Sequence, residues 1–316
     1  MPDAFRSLRS LARRLALTPR EIEKILVNQG RTLARLNERE RFADLGDYEF
    51  RVFSQWGEDG IIQKLISLMP AIPRQFIEFG VEDFTESNCR FLMTKDNWSG
   101  YIIDGSPDHI EAIKSRDWYW KHDLNAVCAF IDKDNIGGLL DRSGFGREPG
   151  ILSVDIDGVD YFVLEALTEW RPWIVIVEYN GLFGHERPVS VPYDPTFVRH
   201  RKHHTGLYWG ASIKAFDSLL RDRGYILAGT NRVGSNAFFL RRDKLATAYE
   251  EPSLESACRP VSFRDVRDTS GRLQFISQPA RLDLIGDMPL VDTVTGKTMP
   301  VSDLGLGTRG ASREQS

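Results

Sequence analysis

The chain has few of the residue patterns that mark several common classes of protein. Its 316 residues include only three cysteines, Cys89, Cys128 and Cys258, which lie far apart. Three scattered cysteines predict neither a disulfide framework nor a zinc site, and they are typical of a reducing compartment. No apolar run reaches the ~18 residues of a membrane-spanning helix, and arginines interrupt the N-terminal leucines, so we expect no signal peptide. We therefore expect a cytoplasmic globular protein.

Positive charge is scarce outside the N-terminus. Residues 1–41 carry 10 Lys or Arg against 5 Asp or Glu, a net charge of +5. The remaining residues carry 31 basic against 40 acidic side chains, a net charge of −9. Because so acidic a body is a poor surface for a polyphosphate, nucleic acid is disfavoured as the main partner.

The first 47 residues have the pattern of a basic amphipathic helical arm. Apolar residues recur at helical spacing in residues 4–17, and Thr18-Pro19-Arg20-Glu21 predicts a second helix start with a capping box. Such an arm is suited to peripheral contact with the anionic inner face of a membrane, to packing on its own domain, or to self-association through residues 1–41. The predicted apolar stripe of the second helix consists of Ile22, Ile25, Gln29, Leu33 and Leu36.

Residues 48–250 predict one α/β domain. Seven short apolar runs alternate with helical stretches such as 161–167 and 213–223. Several runs are apolar throughout, as in strands that a parallel sheet buries on both faces. A short turn at 229–234 joins the last two runs, so we predict a Rossmann-like, doubly wound, seven-stranded sheet closed by an antiparallel hairpin. The predicted strands are 76–79, 101–103, 127–131, 151–156, 173–178, 225–228 and 237–240.

Residues 251–316 predict an irregular extension. Prolines at 260, 279, 289 and 300 interrupt any long element, which leaves short strands such as 273–276. From about Gly305 onward, the composition indicates a disordered end.

The first predicted strand leads into an acidic loop that begins Glu78-Phe79-Gly80 and runs through Asp83 to Asn88. An acid followed by glycine at a strand end is similar to the cofactor loop of S-adenosylmethionine-dependent methyltransferases. In those enzymes the acid meets the amino group of the methionine part, and glycine lets the backbone approach. Here Glu82 and Phe84 occupy the second and third glycine positions of the acid-x-Gly-x-Gly-x-Gly pattern. A loop this acidic suits a cationic sulfonium better than a pyrophosphate.

An acid also follows the second predicted strand, in Asp104-Gly105. Asp104 lies 24 residues after Gly80, where a carboxylate can accept hydrogen bonds from both ribose hydroxyls of a nucleoside, or can cap the next helix. Upstream, Gln55 is placed either to fold over the cofactor or to take part in a helix start. The predicted cofactor-binding residues are Gln55, Glu78, Gly80, Asp83, Asn88, Asp104 and Gly105.

Oxygen-bearing side chains follow the fourth and fifth predicted strands. Asp155 and Asp157 come after one, and Glu178 and Asn180 end the other. Asp155, Glu178 and Asn180 together suit a hard cation such as Mg²⁺ or Mn²⁺, whereas the alternative is that the aspartates cap the next helix. Without a metal, clustered carboxylates raise one another's pKa, and Asp155 or Asp157 could then serve as a general base.

Four of the six histidines fall between residues 185 and 204, within a long segment, 184–209, after the fifth predicted strand. A long loop at this end of a parallel sheet favours substrate contact, with His204 as the candidate general base. The alternative is a surface loop whose histidines are incidental.

Four separated blocks, in order, resemble the FkbM-type methyltransferases: residues 54–60, 77–80, 103–105 and 153–160. The family's fourth block usually reads Ile-Asp-(Val/Ile)-Glu-Gly-x-Glu, and here Asp157 and Asp160 replace the two glutamates. The resemblance covers about residues 48–245. It implies a sheet of the class I methyltransferase type, S-adenosylmethionine as methyl donor, and O-methylation of a hydroxyl on a small-molecule, sugar or glycan-like acceptor.

A bacterial branch of this group, with Glu-Phe-Gly-Val-Glu-Asp and Val-Pro-Tyr-Asp-Pro signatures, resembles the chain more closely through residues 78–83 and 191–195. That resemblance implies a link to surface-polysaccharide assembly. Two other functions stay open on the residues alone. Asp155-x-Asp157 also resembles the cation-binding motif of metal-dependent glycosyltransferases, and a fold of this kind can serve as a non-catalytic scaffold.

Overall fold

The structure, a computed structural model, describes residues 18–260 and 266–308. The predicted helical segment 4–17 and the chain beyond residue 308 lie outside the described residues. The helices are α1 (Pro19–Arg39), α2 (Glu58–Ser67), α3 (Arg90–Asp96), α4 (Pro107–Lys114), α5 (Ile136–Asp141), α6 (Asp160–Ala166), α7 (Arg199–Lys202), α8 (Ile213–Asp222), α9 (Leu254–Ala257) and α10 (Gln278–Leu284). The strands are β1 (Gln75–Phe79), β2 (Ser99–Asp104), β3 (Leu124–Cys128), β4 (Ile151–Val154), β5 (Ile174–Glu178), β6 (Val189–Ser190), β7 (Tyr225–Thr230), β8 (Asn236–Arg241), β9 (Pro289–Asp292) and β10 (Thr298–Pro300).

Seven strands form one sheet in the order β3-β2-β1-β4-β5-β8-β7. Strands β1 to β5 run parallel, whereas β8 is antiparallel to both of its neighbours. This order confirms the predicted Rossmann-like, doubly wound sheet of the class I methyltransferase type and its closing hairpin. The strand order reverses between β1 and β4, and in such sheets this is where ligands bind, beyond the carboxyl ends of the strands.

Side chains of successive strand residues point to opposite faces and enter two separate cores. In β1, Ile77 joins the core covered by α5, α6 and α8, and Phe76 joins the core covered by α2, α3 and α4. Both are fully buried. Apolar residues at consecutive strand positions are therefore required, which is why the sequence shows continuous apolar runs here.

The third strand was misplaced by the sequence pattern. We predicted 127–131, but β3 ends at Cys128, and Phe130 beyond it is 55% exposed. The apolar run continues past the strand because Phe130 belongs to a loop at the carboxyl edge of the sheet.

Helix α1 has the predicted capping box: the Glu21 amide donates to the Thr18 hydroxyl, and the Glu21 carboxylate accepts from the Thr18 amide. It packs on its own domain through Val27, Gly30 and Ala34. This buried face is not the predicted stripe. Of that stripe, Leu33 is half-buried and the other members are exposed: Ile22, Ile25, Gln29 and Leu36.

No helix within residues 18–260 and 266–308 is long and apolar enough to cross a membrane.

The C-terminal segment packs on the main core. Strands β9 and β10 form a three-stranded sheet with β6, and Ile285 and Leu290 are buried in the same core as α8. The predicted strand at 273–276 does not form, because only Leu273 makes an isolated bridge, with Arg267. The described part of the predicted disordered end is tied down where the Thr308 hydroxyl donates to Asp283.

Candidate functional site

A cavity of about 550 Å³ lies over the carboxyl ends of the parallel strands. Its volume is within the usual range for small-molecule sites. The loops after β1 to β5 form most of its wall, and Gln55, Arg199 and Asn236 complete it. One arginine faces seven carboxylates in the wall, so the cavity favours a cationic ligand. The carboxylates are those of Glu78, Glu82, Glu86, Asp104, Asp155, Asp157 and Glu178.

The loop after β1 keeps a glycine-type backbone at three alternate positions, although only the first is glycine. Gly80, Glu82 and Phe84 have φ angles of 66°, 47° and 61°. A side chain at φ > 0 costs roughly 1–2 kcal/mol, so surrounding contacts must hold the two non-glycine residues in place. The Glu82 amide donates to Asp104 Oδ2 at 2.9 Å, and the Phe84 side chain is fully buried.

Gly80 is required by space as well as by its φ angle. A Cβ at this position would lie 1.7 Å from the carbonyl oxygen of Asp155. The loops after β1 and β4 therefore touch through backbone atoms, and the ends of these two strands form the floor of the cavity.

Glu78 holds the start of α3. Its carboxylate accepts from the Ser87 hydroxyl at 2.6 Å and from the amides of Asn88 and Cys89 at 2.7 and 3.2 Å. Burial raises its pKa to about 7, although these hydrogen bonds favour the ionised form. The Asn88 side chain lines the cavity and donates to the hydroxyl of Ser153 on β4.

Asp104 links the loops after β1 and β2. Oδ1 accepts from the Ser106 amide at 2.8 Å and lies 3.0 Å from His109 Nδ1, while Oδ2 accepts from the Glu82 amide. A carboxylate has about four acceptor sites, so three of them are used and one stays open toward the cavity. His109 is half-exposed on the surface, so its contact is the one that a ligand hydroxyl would most readily replace.

Asp155 and Glu178 lie side by side after β4 and at the end of β5, with carboxylate oxygens within 4.8 Å of each other. Burial in the cavity wall raises the pKa of both carboxyls well above their ordinary values, and the neighbouring negative charges raise them further. Glu178 is 9% exposed, and its Oε2 has no hydrogen-bond partner.

Asp157 is held beside this pair in a left-handed conformation, with φ of 55°. The carboxylate of Asp160 fixes the turn by accepting from the amides of Ile156 and Gly158 at 2.8 and 2.9 Å. Burial raises the pKa of Asp160 to about 6. Oxygen atoms of Asp155, Asp157 and Glu178 lie within 4.8 Å of one another.

Three predicted site residues lie outside this arrangement. The Asn180 amide donates to the carbonyls of Leu207 and Trp209, and its oxygen caps a short 3-10 helix, so the structure does not bring Asn180 into the acidic cluster. Asp83 points to the surface, where it pairs with Arg116 at 2.8 Å. His204 is exposed, and no histidine of the described residues lines the cavity.

Three residues of the cavity wall were not among the predicted site residues. Arg199, in α7, donates to Asp157 Oδ1 at 2.7 Å and to the Gly206 carbonyl at 2.6 Å, with its guanidinium 4.8 Å from the Trp209 ring centre. Arg199 lies where we expected a histidine. Nothing in its sequence context distinguishes it from the basic residues around it. Phe130 was predicted to lie in a strand, and Asn236 was predicted either to point into the site or to complete the turn before the last strand.

The block at 54–60 presents Gln55 to the cavity from a rigid frame. Asp59 Oδ2 accepts from the amides of Val52, Phe53 and Ser54 at 2.7 to 2.9 Å. Burial raises the pKa of Asp59 to about 6. The buried Glu58 accepts from the side-chain amides of the residues that open the closing hairpin, Asn231 and Asn236.

Several solved structures are similar to this chain, all at low identity. The CurJ carbon methyltransferase is 10% identical over 71% of both chains, with a TM-score of 0.38. The N-terminal domain of EvdMO1, solved with SAH bound, is 11% identical over 71% of this chain and 95% of that one, with a TM-score of 0.37. An O-methyltransferase family protein from Burkholderia thailandensis is 10% identical over 70% of this chain and 57% of that one, with a TM-score of 0.34.

No family model and no curated protein matches the chain. Similarities as distant as those above assign no activity, so function must be inferred from the site itself.

Proposed function

We propose that the chain is an S-adenosylmethionine-dependent O-methyltransferase whose domain spans residues 48–250. The observation that carries the proposal is the cavity at the switch point. There a glycine-type loop after β1 and an acid at the end of β2 meet the acidic pair after β4 and β5. The first two features suit a nucleoside with a cationic tail, and the third suits an acceptor hydroxyl.

The residues present fit the cofactor. Gly80 provides a surface without a side chain, Asp104 has an acceptor site for ribose, and Phe130 offers an aromatic face beside Gly105 for a base. Gln55 and Asn88 supply amide groups, and Glu78 keeps one acceptor site toward the amino group of the methionine part. When bound, S-adenosylmethionine supplies an electrophilic methyl group on a sulfonium.

The chain's own contribution to the reaction is to bind and orient the acceptor. Asp155, beside Glu178, lies at the cavity wall next to Gly80 and is placed to accept the proton of a hydroxyl. Arg199 holds Asp157 in its left-handed turn and limits movement of the cluster. Positioning of the hydroxyl for in-line attack would supply most of the rate.

The finer assignment rests on the FkbM resemblance. A sugar or glycan-like acceptor agrees with a wall rich in groups that hydrogen-bond hydroxyls, among them Gln55, Asn88 and Asn236. We propose that this acceptor belongs to bacterial polysaccharide synthesis and that the enzyme works in the cytoplasm. His204, which is exposed, stays a candidate for acceptor contact.

We also propose that residues 1–41 serve in self-association rather than in membrane contact. Two of the exposed arginines of α1, Arg20 and Arg31, lie on the side of the helix away from its exposed apolar residues. At 100° per residue, Arg31 is about 180° around the axis from Ile22. An interfacial membrane helix instead places its cations along the border of its apolar face.

Calorimetric titration of the full chain with S-adenosylmethionine tests the enzyme class. We expect micromolar binding, and at least tenfold weaker binding for Asp104→Asn, because the buried acid joins the loops after β1 and β2 through the Glu82 and Ser106 amides. Asp108→Asn, in the first exposed turn of α4, is the matched control and should bind as the parent does.

The same titration with UDP-glucose and Mn²⁺ separates the alternatives. Binding of the nucleotide sugar without binding of S-adenosylmethionine would replace the proposal by a glycosyltransferase. Binding of neither ligand, nor of the demethylated product, would leave a scaffold with this fold.

A further inference from the structure

Four oxygen-bearing side chains lie at the carboxyl ends of β4 and β5 and at the adjoining amino end of β8. Three are the carboxylates of Asp155, Asp157 and Glu178, whose oxygens lie within 4.8 Å of one another. Ligands on opposite sides of one cation at 2.3–2.6 Å are up to about 5 Å apart, so one ion can reach all three carboxylates.

The fourth side chain is Asn236, which gives independent evidence of a ligand. It pairs with Glu178 in the β5–β8 register, so the two side chains lie on the same face of the sheet. Its residue exposure is 7%, and its Oδ1 has no hydrogen-bond partner. A buried amide oxygen left without a donor is rare in a folded protein.

The orientation of the Asn236 amide is set from behind. Its Nδ2 donates to Glu58 Oε1 at 3.0 Å, and Glu58 also accepts from Asn231. Because the nitrogen donates to Glu58, the amide oxygen is turned away from that carboxylate. Glu178 Oε2 is the second buried oxygen without a partner at this place.

The charge of the group defines the kind of ligand. Three carboxylates and Arg199 leave a formal charge of −2, which a divalent cation neutralises and a single ammonium does not. Carboxylate and amide oxygens, with no sulfur or imidazole among them, are the donors of a hard cation such as Mg²⁺, Mn²⁺ or Ca²⁺.

We propose that Asp155, Asp157, Glu178 and the Asn236 carbonyl bind one divalent cation at the acceptor end of the cavity. The proposal deepens the function proposed above, since a cation here would bind the acceptor hydroxyl as a further ligand and favour its ionised form. It keeps Asp155 and Glu178 from the ligand set predicted from the sequence, adds Asp157, and replaces Asn180 by Asn236.

Manganese alone is the probe. The full chain, treated with EDTA and dialysed, is titrated with Mn²⁺ while the EPR signal of the free ion is followed, with no cofactor or acceptor present. We expect one site with a dissociation constant below millimolar and a rise in Tm with Mn²⁺, Mg²⁺ or Ca²⁺. Glu178→Gln should weaken binding at least 100-fold, and Asn236→Thr at least tenfold.

Glu86→Gln is the matched control, because Glu86 also lines the cavity but pairs with Arg51 at the surface. It should leave Mn²⁺ affinity unchanged. Thermal melts of the ion-free variants show whether each one folds, and an unfolded Asn236→Thr is replaced by Asn236→Ser.

No bound Mn²⁺ in the folded parent at millimolar concentration would overturn the site. Equal affinity in the parent and the Asn236 variant would remove Asn236 from it. The outcome is separate from that of the proposed function, because Mn²⁺ binding is measured without S-adenosylmethionine. A protein that binds Mn²⁺ but no S-adenosylmethionine would keep the site and lose the methyltransferase.

Discussion

Gly80 marks the place where the loops after β1 and β4 come into backbone contact. Its φ of 66° disfavours a side chain, and its distance to the Asp155 carbonyl excludes one. Two positions further on, Glu82 adopts the same left-handed conformation despite its side chain, and its amide donates a hydrogen bond to Asp104. The cavity therefore depends on one residue for space and on another for a hydrogen bond.

Substitution of Gly80 by alanine separates these two demands. We expect Gly80→Ala to lower the free energy of unfolding by at least ~3 kcal/mol, since the strain of a positive φ adds to a backbone clash. Urea denaturation measures the loss. Cofactor titration of the folded fraction should show weaker binding, because Asp155 must move.

Gly144→Ala is the control for the φ angle alone. Gly144 has a φ of 72° with no other atom within 4 Å of the position that a Cβ would take. We expect a loss of only ~1–2 kcal/mol. Equal losses of unfolding free energy in the two variants would mean that the loops after β1 and β4 can move apart at no energetic cost.

Most of the acidic site residues predicted from the sequence lie where a strand ends. Glu78, Asp104, Asp155 and Glu178 each follow an apolar run, and all four reach the cavity. Asn236 stayed open between a place in the site and a turn, because its place opposite Glu178 depends on the register of an antiparallel pair that the sequence does not state.

Helix α1 buries one face against its own domain and leaves an adjoining apolar face exposed. Val27, Gly30 and Ala34 are small enough to bring the helix against Phe91 and Val52, and a Cβ on Gly30 would lie 2.5 Å from Val52. Ile25 and Leu36 stay 52% and 56% exposed on the adjoining face. Apolar surface of this kind, continuous with a packed face, is typical of helix–helix contact.

Charge on the apolar face of α1 tests the proposed self-association. We expect the parent to form an oligomer by light scattering at micromolar concentration, and Ile25→Asp with Leu36→Asp to reduce it to monomer. The physical reason is that a carboxylate at such a contact must be desolvated without a partner. Asn28→Asp, on an exposed part of α1 outside the apolar stripe, is the control and should not change the mass.

Vesicles of equal parts phosphatidylserine and phosphatidylcholine address the membrane alternative. Sedimentation of the parent with them, abolished by Arg31→Glu with Arg35→Glu, would contradict self-association as the role of this segment.

Element boundaries in the parallel sheet could be predicted because burial on both faces leaves an apolar run of defined length. The exception, β3, shows the limit: Phe130 continues the run but serves the cavity. Strands β9 and β10 could not be predicted, because they are short and half-exposed and exist only through pairing with β6, about a hundred residues earlier.

For the whole molecule, the segment after residue 250 belongs to the folded core. Leu290 on β9 is fully buried, and the Tyr208 hydroxyl donates to the carbonyl of Pro289. The segment after β5 that carries Arg199 is therefore held from outside by a later part of the chain.

Leu290→Ala should lower the free energy of unfolding by ~2–4 kcal/mol, because it opens a cavity in the main core. Leu284→Ala, the same change at a position 43% exposed in the same segment, should cost less than ~1 kcal/mol. Urea unfolding measures both. A second, earlier transition in the parent would contradict one cooperative unit.

The bond between Asn236 and Glu58 joins residues 178 positions apart in the chain. Its consequence concerns synthesis: the wall of the cavity cannot close while the ribosome still holds residue 236. Until β8 pairs with β5, the Glu178 carboxylate has no Asn236 amide beside it, and a nascent chain that has already made its five parallel strands still presents an open sheet edge. Such late, long-range closure is slow, so this protein should depend on chaperones at the moment of release more than its size alone suggests.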